Sequence, residues 1–254
     1  VPALDPSNSH DSVRVGGVVV DRETLLGAAR SYLVQRGRFG YPAYDSFNSA
    51  GGPWRVSDGD FLAPVLLNAE VNSRAFYSLE SIRGHLETWL RSVPMDTRLV
   101  EAGPAELEKL ADLFAVLDGE DLPNARGSIL AKVMHRKRPA FIPLYDPYVD
   151  YCYRGCADAP ISKDSKRPWK QFMPLLGAAM IEDLTNGQEL LAEVVAMAKS
   201  PVISPLRALD IVAWHAGRID NGPAIWAAST EEGADHEDVE DAHLVDLNEE
   251  DEAP

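Results

Sequence analysis

Cysteine is scarce in this sequence: two in 254 residues, Cys152 and Cys156, four apart in YCYRGC. One CxxxC without a second pair leaves a structural zinc site short of its four ligands. Two reduced thiols on a helix turn of a cytosolic protein is the plainer reading. His10, His85, His236 and His243 show no metal spacing, so neither a metal nor a cofactor is expected. Also missing is any run approaching the roughly 20 apolar residues of a membrane-spanning helix. The first residues, VPALDPSNSHDS, lack the basic-then-apolar order of a secretory signal. A cytoplasmic protein without a membrane partner is therefore expected. There is no internal repeat, no heptad run and no series of strands. Only VGGVVV at 15–20 has the makings of one short strand.

What is present is ordinary globular usage, with 45% apolar and 25% charged residues, enough for one large core. Apolar spacing predicts a mainly α protein. Asp21 is a good N-cap for a helix over 22–36, with Leu25, Ala29, Tyr32 and Leu33 on one face. Helices are expected over 59–70, bent at Pro64, and over 76–92. Others are expected from Pro104 to Gly119, over 124–138, 169–183 and 185–199 (capped by Thr185), and from Ser204-Pro205 onward. The stretch 37–57 reads as a long loop rich in glycine and aromatics. The expected organisation is a disordered segment over 1–17, a helical domain over 18–220 and a disordered acidic tail over 221–254, whose composition cannot offset the entropy of ordering.

The net charge of −16 argues at first against nucleic acid, but that charge is unevenly distributed. Residues 231–254 hold 12 acids and no Lys or Arg, and without them the balance is −4. Residues 126–170 hold ten Lys/Arg against four acids, a local +6. Local field governs anion binding more than total charge does. These cations either form a phosphate-binding surface or simply solvate helix faces.

One segment carries chemistry: LDGEDLPNARGSILAKVMHRKRPAFIPLYDPYVD, residues 117–150. A helix ends, a short turn follows at 122–127, and a second helix starts near Ser128 and runs out at Arg138-Pro139. An extended stretch then delivers Asp146 just before Pro147. Bare amides at the second helix's N-terminus suit a DNA phosphate without reading sequence. The corresponding candidates are Asn124, Arg126, Gly127 and Ser128, with Lys132 and Arg136 further along. Asp146 is also well placed as a plain helix N-cap.

These motifs resemble the helix-hairpin-helix DNA glycosylases, the superfamily of endonuclease III, the adenine glycosylases and 8-oxoguanine DNA glycosylase. Leu122-Pro123 matches the start of their signature, and Pro139, Ile142-Pro143 and Asp146 match its end. The sequence as a whole also looks like an uncharacterised actinobacterial family described as having an 8-oxoguanine-glycosylase-like fold. The resemblance implies a catalytic role for Asp146, which would support base loss from an everted nucleotide by stabilising an oxocarbenium-like sugar or activating water. It also implies duplex DNA as a partner. Three departures stand out. The family's first two glycines fall on Asn124 and Arg126, its lysine falls on Ser128, and Tyr145 is inserted before the aspartate. Without that lysine no Schiff-base lyase step is expected, and there is no cysteine set for an iron–sulfur cluster.

Three functions follow as alternatives: a monofunctional N-glycosylase using Asp146, a catalytically silent DNA-backbone binder, or a protein-interaction factor working through its acidic tail. Phe39, Tyr41, Tyr44 and Trp169 are candidate walls of a base pocket. In the last helix Arg207, Asp210 and Trp214 fall on one stripe, which reads either as a buried ion pair beside Trp or as part of a site.

Overall fold

The computed structural model describes residues 12–48, 50–119 and 121–231, with side chains only to residue 221. Within them the chain is mainly helical. Among the described residues no helix is long and apolar enough to cross a membrane.

The short strand expected at 15–20 is a hairpin of two, β1 (Ser12–Val15) and β2 (Val18–Asp21), antiparallel with Val15 opposite Val18. The glycine pair turns the chain, with Gly16 at φ +57°. Its amide donates to the Asp183 carboxylate at 2.7 Å, and Gly17 N–H donates to the Cys152 carbonyl at 2.8 Å. A Cβ on Gly16 would stand 2.3 Å from that same carbonyl oxygen. Pairing and anchoring thus order residues 12–17, the end of the segment 1–17 that was expected to be disordered.

Helix α1 (Arg22–Val34) is capped by Asp21, whose Oδ1 accepts from Thr24 N–H at 2.8 Å, and it buries the predicted face of Leu25, Ala29, Tyr32 and Leu33. The loop after it contains a single helical turn, α2 (Ala43–Ser46). Helix α3 (Asp58–Leu62) tightens into a 3₁₀ turn over Ala63–Leu67 at Pro64, whose ring nitrogen has no hydrogen to continue the α ladder. The helix expected over 76–92 is two, α4 (Ser73–Ser81) and α5 (Arg83–Ser92), broken at Ile82. Helices α6 (Pro104–Phe114) and α7 (Val116–Gly119) precede α8 (Gly127–His135) and α9 (Pro147–Asp150), and α9 runs into a π turn over Tyr151–Gly155.

Helices α10 (Trp169–Asn186) and α11 (Gln188–Met197) are divided at Gly187. Thr185, expected to cap the second, lies inside the first and donates its hydroxyl back to the Ile181 carbonyl. Helix α12 (Pro205–Glu231) starts as predicted, with Ser204 Oγ accepting from Arg207 N–H at 3.1 Å. It kinks at Asn221, where the domain was expected to end, but remains helical to Glu231. The remainder of the acidic tail, 232–254, and residues 1–11 lie outside the described residues.

α12 is central, packing on α1, α9, α11 and β2, while α10 packs along α6. α12 and α9 approach closely because residue 217 is glycine: a Cβ there would lie 2.5 Å from the Tyr148 carbonyl oxygen. That contact joins the first turn of α9, which Asp146 caps, to α12.

Candidate functional site

The expected helix–turn–helix at 117–138 is formed. α7 ends at Gly119, the chain turns, and α8 begins at Gly127. Asn124 takes the left-handed conformation, φ 63°, at the place of the first glycine in the resemblance. Asn tolerates this because its short amide clears the backbone. Arg126 is extended (φ −81°, ψ 164°), so it needs no glycine's freedom. Gly127 serves another purpose: a Cβ there would lie 2.1 Å from the Trp169 ring, so the indole rests directly on the start of α8. No side chain caps this N-terminus. Pro123 is exposed, Asn124 and Arg126 are half-buried, and Ala125 and Gly127 are buried.

Beyond the turn, every residue of α8 is buried. Ser128, Lys132 and Arg136 were expected to offer phosphate contacts; Ser128 and Lys132 face inward, and Arg136 donates to the carbonyls of Tyr44 (2.8 Å) and Phe47. The local +6 is therefore not one surface field. Lys137 is paired with the fully buried Asp60 at 2.7 Å, and Arg136 lies 3.7 Å from the same carboxylate. Arg138, with no exposed surface, donates to the carbonyls of Leu90, Val93, Pro53 and Lys137 at 2.7–3.0 Å. The carboxylate partner of Arg136 and Lys137 sits some 75 residues upstream, where no charge count over a window finds it. Lys163 and Lys166 remain exposed on the segment that leads into Trp169, and Lys170 is exposed just after it in α10. Asp118 of α7 accepts from the Trp169 and Lys170 amides at 2.7 and 2.8 Å, tying that segment to the hairpin.

His135 closes α8. Its Nδ1 contacts the Ile142 carbonyl at 2.6 Å, and since a carbonyl only accepts, Nδ1 carries the hydrogen. Burial, with the Arg207 cation nearby, pushes its pKa down to about 4. The neutral ring faces a cleft of about 160 Å³ that Tyr44, Phe47, Arg136, Ser204 and Arg207 also line.

Asp146 N-caps α9, with one oxygen, Oδ1, accepting from both Tyr148 N–H and Val149 N–H at 2.9 Å. The other oxygen has no partner among the described residues. Burial raises its pKa, while Lys132 and the two cap amides oppose that rise. The inserted Tyr145 donates to Asp150 at 2.7 Å and presents its ring edge-on to Trp169 (5.3 Å) and Phe172 (5.5 Å), so it joins the aspartate's helix to the indole on Gly127.

Across from Asp146 is the stripe of α12. Arg207 pairs with Asp210, as its spacing suggested, and also with Asp45 of α2 at 2.9 Å and the Tyr32 hydroxyl at 2.9 Å. The last two come from distant segments and carry no local sequence signal. Burial lifts Asp210 to about 7 against the pull of Arg207, and the charge of Asp146 adds to the rise. Trp214, half-buried, meets Tyr148 at 5.6 Å, Phe39 at 6.4 Å and the Arg218 guanidinium at 5.2 Å. Of the four candidate walls only Phe39 is on this side. Tyr41 and Tyr44 are core residues whose hydroxyls donate to the carbonyls of Pro201 and Lys132, and Trp169 serves the hairpin. No group of three or more His, Cys, Asp or Glu suited to a metal occurs among the described residues.

Taken together these features define a helical protein with a charged seam running through its core, opened where the end of α8 meets α2 and the start of α12. The chain belongs to a family of unknown function, DUF6308, matched over residues 26–217. No curated protein and no solved structure matches it.

Proposed function

We propose that this chain acts on DNA as a monofunctional N-glycosylase on a glycosylase-like helical fold, with the hairpin at 122–127 meeting the phosphate backbone and Asp146 assisting release of an everted base. The observation that carries the reading is the division of labour within the Asp146 carboxylate. One oxygen is held by two backbone amides, which fixes the side chain, and the other is open in a partly desolvated corner. A fixed, unpartnered carboxylate oxygen stabilises a neighbouring oxocarbenium-like sugar or takes a proton from attacking water. Ser128 at the lysine position of the resemblance goes with hydrolysis rather than strand cleavage.

The test is a panel of duplex oligonucleotides carrying damaged or modified bases, assayed for base release with the native chain and with Asp146→Asn. Base release by the native chain that is lost in Asp146→Asn supports the reading. Release by neither protein on any substrate ends it.

The exposed lysines at 163, 166 and 170 favour a second reading, backbone binding without chemistry. Here the chain is retained on undamaged duplex with an affinity that falls steeply with salt, and Asp146→Asn leaves that affinity unchanged.

A further inference from the structure

The base-release reading leaves the cleft at the end of α8 without a task. Its volume is about 160 Å³, and an apolar void of about 150 Å³ accepts one benzene ring. Pro139, Val202 and Ile203 supply an apolar wall, and Phe47 stands at the rim, 36% exposed. The polar side is set by His135, which is only 2% exposed. Its Nδ1–H is committed to the Ile142 carbonyl, so Nε2 carries a lone pair and no hydrogen. Nε2 has no hydrogen-bond partner among the described residues, yet protein atoms do not enclose it; its open side is the cleft. Asp45 and Arg136 line the same space. The Asp45 carboxylate accepts from Arg207 Nε at 2.9 Å and from a terminal nitrogen at 3.3 Å, and keeps lone pairs to spare. Arg136 donates from one terminal nitrogen to the Tyr44 carbonyl and from the other to the Phe47 carbonyl, so each nitrogen keeps a second N–H. These groups decide the charge of an occupant. A cation would meet Arg136 and Arg207, and an anion would meet Asp45 and the Nε2 lone pair. Burial and the nearby Arg207 hold His135 at a pKa of about 4, so at neutral pH its ring stays an acceptor. What the cleft requires is a neutral hydrogen-bond donor.

We infer that this cleft binds a small neutral lactam or amide, about the size of a single ring, whose N–H donates to His135 Nε2 while the adjoining carbonyl oxygen accepts from Arg136. An edge that carries a donor beside an acceptor meets an acceptor and a donor of the protein, and the hydrocarbon part rests on Pro139, Val202 and Ile203. A buried acceptor without a donor is costly, and the ligand's N–H removes that cost. Because the Ile142 carbonyl fixes the tautomer, His135 discriminates against ligands that can only accept. Binding makes and breaks no covalent bond. The site is independent of base release, since Asp146 does not line the cleft.

The experiment titrates the full chain at neutral pH with single-ring probes, following heat by calorimetry and the His135 ring nitrogens by NMR. α-Pyridone, whose N–H adjoins its carbonyl, is expected to bind with a dissociation constant of about 1 mM or tighter. It should shift the Nε2 resonance while the ring stays neutral. N-Methyl-α-pyridone keeps the ring and the carbonyl but lacks the donor, and should bind about tenfold more weakly or worse. Val202 is 75% exposed, so a larger side chain there spares the core. Val202→Trp narrows the cleft and should weaken α-pyridone binding about tenfold or more. Equal affinity for the two pyridones overturns the inference. So does tighter binding of benzoate with protonation of His135, which makes the cleft an anion site, or tighter binding of benzamidine, which makes it a cation site. Pyridone binding that leaves Nε2 unshifted and is indifferent to Val202→Trp lies elsewhere on the molecule and also overturns it, as does no binding up to about 10 mM. None of these outcomes bears on base release, which is assayed without the probes.

Discussion

The molecule has two kinds of interior. Where α6, α10 and α11 meet, the buried residues are apolar: Leu110, Leu113 and Phe114 face Phe172, Leu176 and Met180, with Leu190, Leu191 and Val194 beyond. Where α8 meets α12 and the 41–60 segment, the interior holds Asp60, Lys132, His135, Lys137, Arg138, Arg207, Asp210 and His215. The first kind stabilises by area removed from water, at about 25 cal/mol per Å². The second gives up part of that gain to desolvate charges, and replacing a buried ion pair by well-packed apolar residues is often neutral or stabilising. A seam so rich in charge is therefore weak evidence for stability and better evidence of a task.

Substitutions at matched depth in the two interiors test this difference. The largest effect is expected at Arg138. Arg138→Ala strands four main-chain carbonyls in the core and empties the space under Trp54, whose ring it meets at 4.7 Å. A loss of about 3–5 kcal/mol in denaturant unfolding is expected; a loss below about 1 kcal/mol would mean that water replaces the guanidinium. Next is a pair of glycines. Gly217→Ala drives a methyl into the Tyr148 backbone and should cost about 2–3 kcal/mol while displacing Asp146. Gly177→Ala meets side-chain ends alone in the apolar layer, Leu107 at 2.7 Å and Leu110 at 3.1 Å, and should cost under about 1 kcal/mol. Equal costs for the two would erase the contrast.

A smaller effect concerns pH. His135 and His215 have folded pKa values of about 4 against a reference of 6.5. Unfolding takes up protons between those values, so their contribution is complete above pH 6.5 and is lost as pH falls toward 4. Asp210 works in the opposite sense. Raised from 3.8 to about 7, it contributes fully below pH 3.8 and loses that contribution as pH rises through 7. Asp210→Asn removes the opposing slope, so stability between pH 6.5 and 4 should fall more steeply than in the native chain. Unchanged slopes would show that Asp210 does not titrate in this window. The smallest stability effect is expected at Asp146 itself. Asn is as good an N-cap as Asp, so Asp146→Asn should unfold within about 0.5 kcal/mol of the native chain. Any loss of base release in that variant is then chemical rather than structural.

Helix starts were the most legible features. Asp21, Pro104 and Ser204-Pro205 act through atoms within a few residues, and all three perform the expected local role. Breaks were less so. Ile82 interrupts a good amphipathic run, and Gly187 rather than Thr185 separates α10 from α11. At the hairpin, the turn and the start of α8 were legible, and so was Asp146 as a cap. The roles of Gly127 and Tyr145 were not, because Trp169 reaches them from 24 or more residues away.

Periodicity, caps and turn chemistry act over one or two helical turns, so the chain by itself determined a mainly helical protein, the hairpin at 122–127 and a capping carboxylate at 146. Which cations face water and which are buried was decided only in three dimensions. A charge's environment depends on partners brought from afar: Asp60 to Lys137, Asp45 to Arg207, and α12 to α9 across Gly217. The run RKR reads as a solvated or phosphate-binding face until packing places it inside.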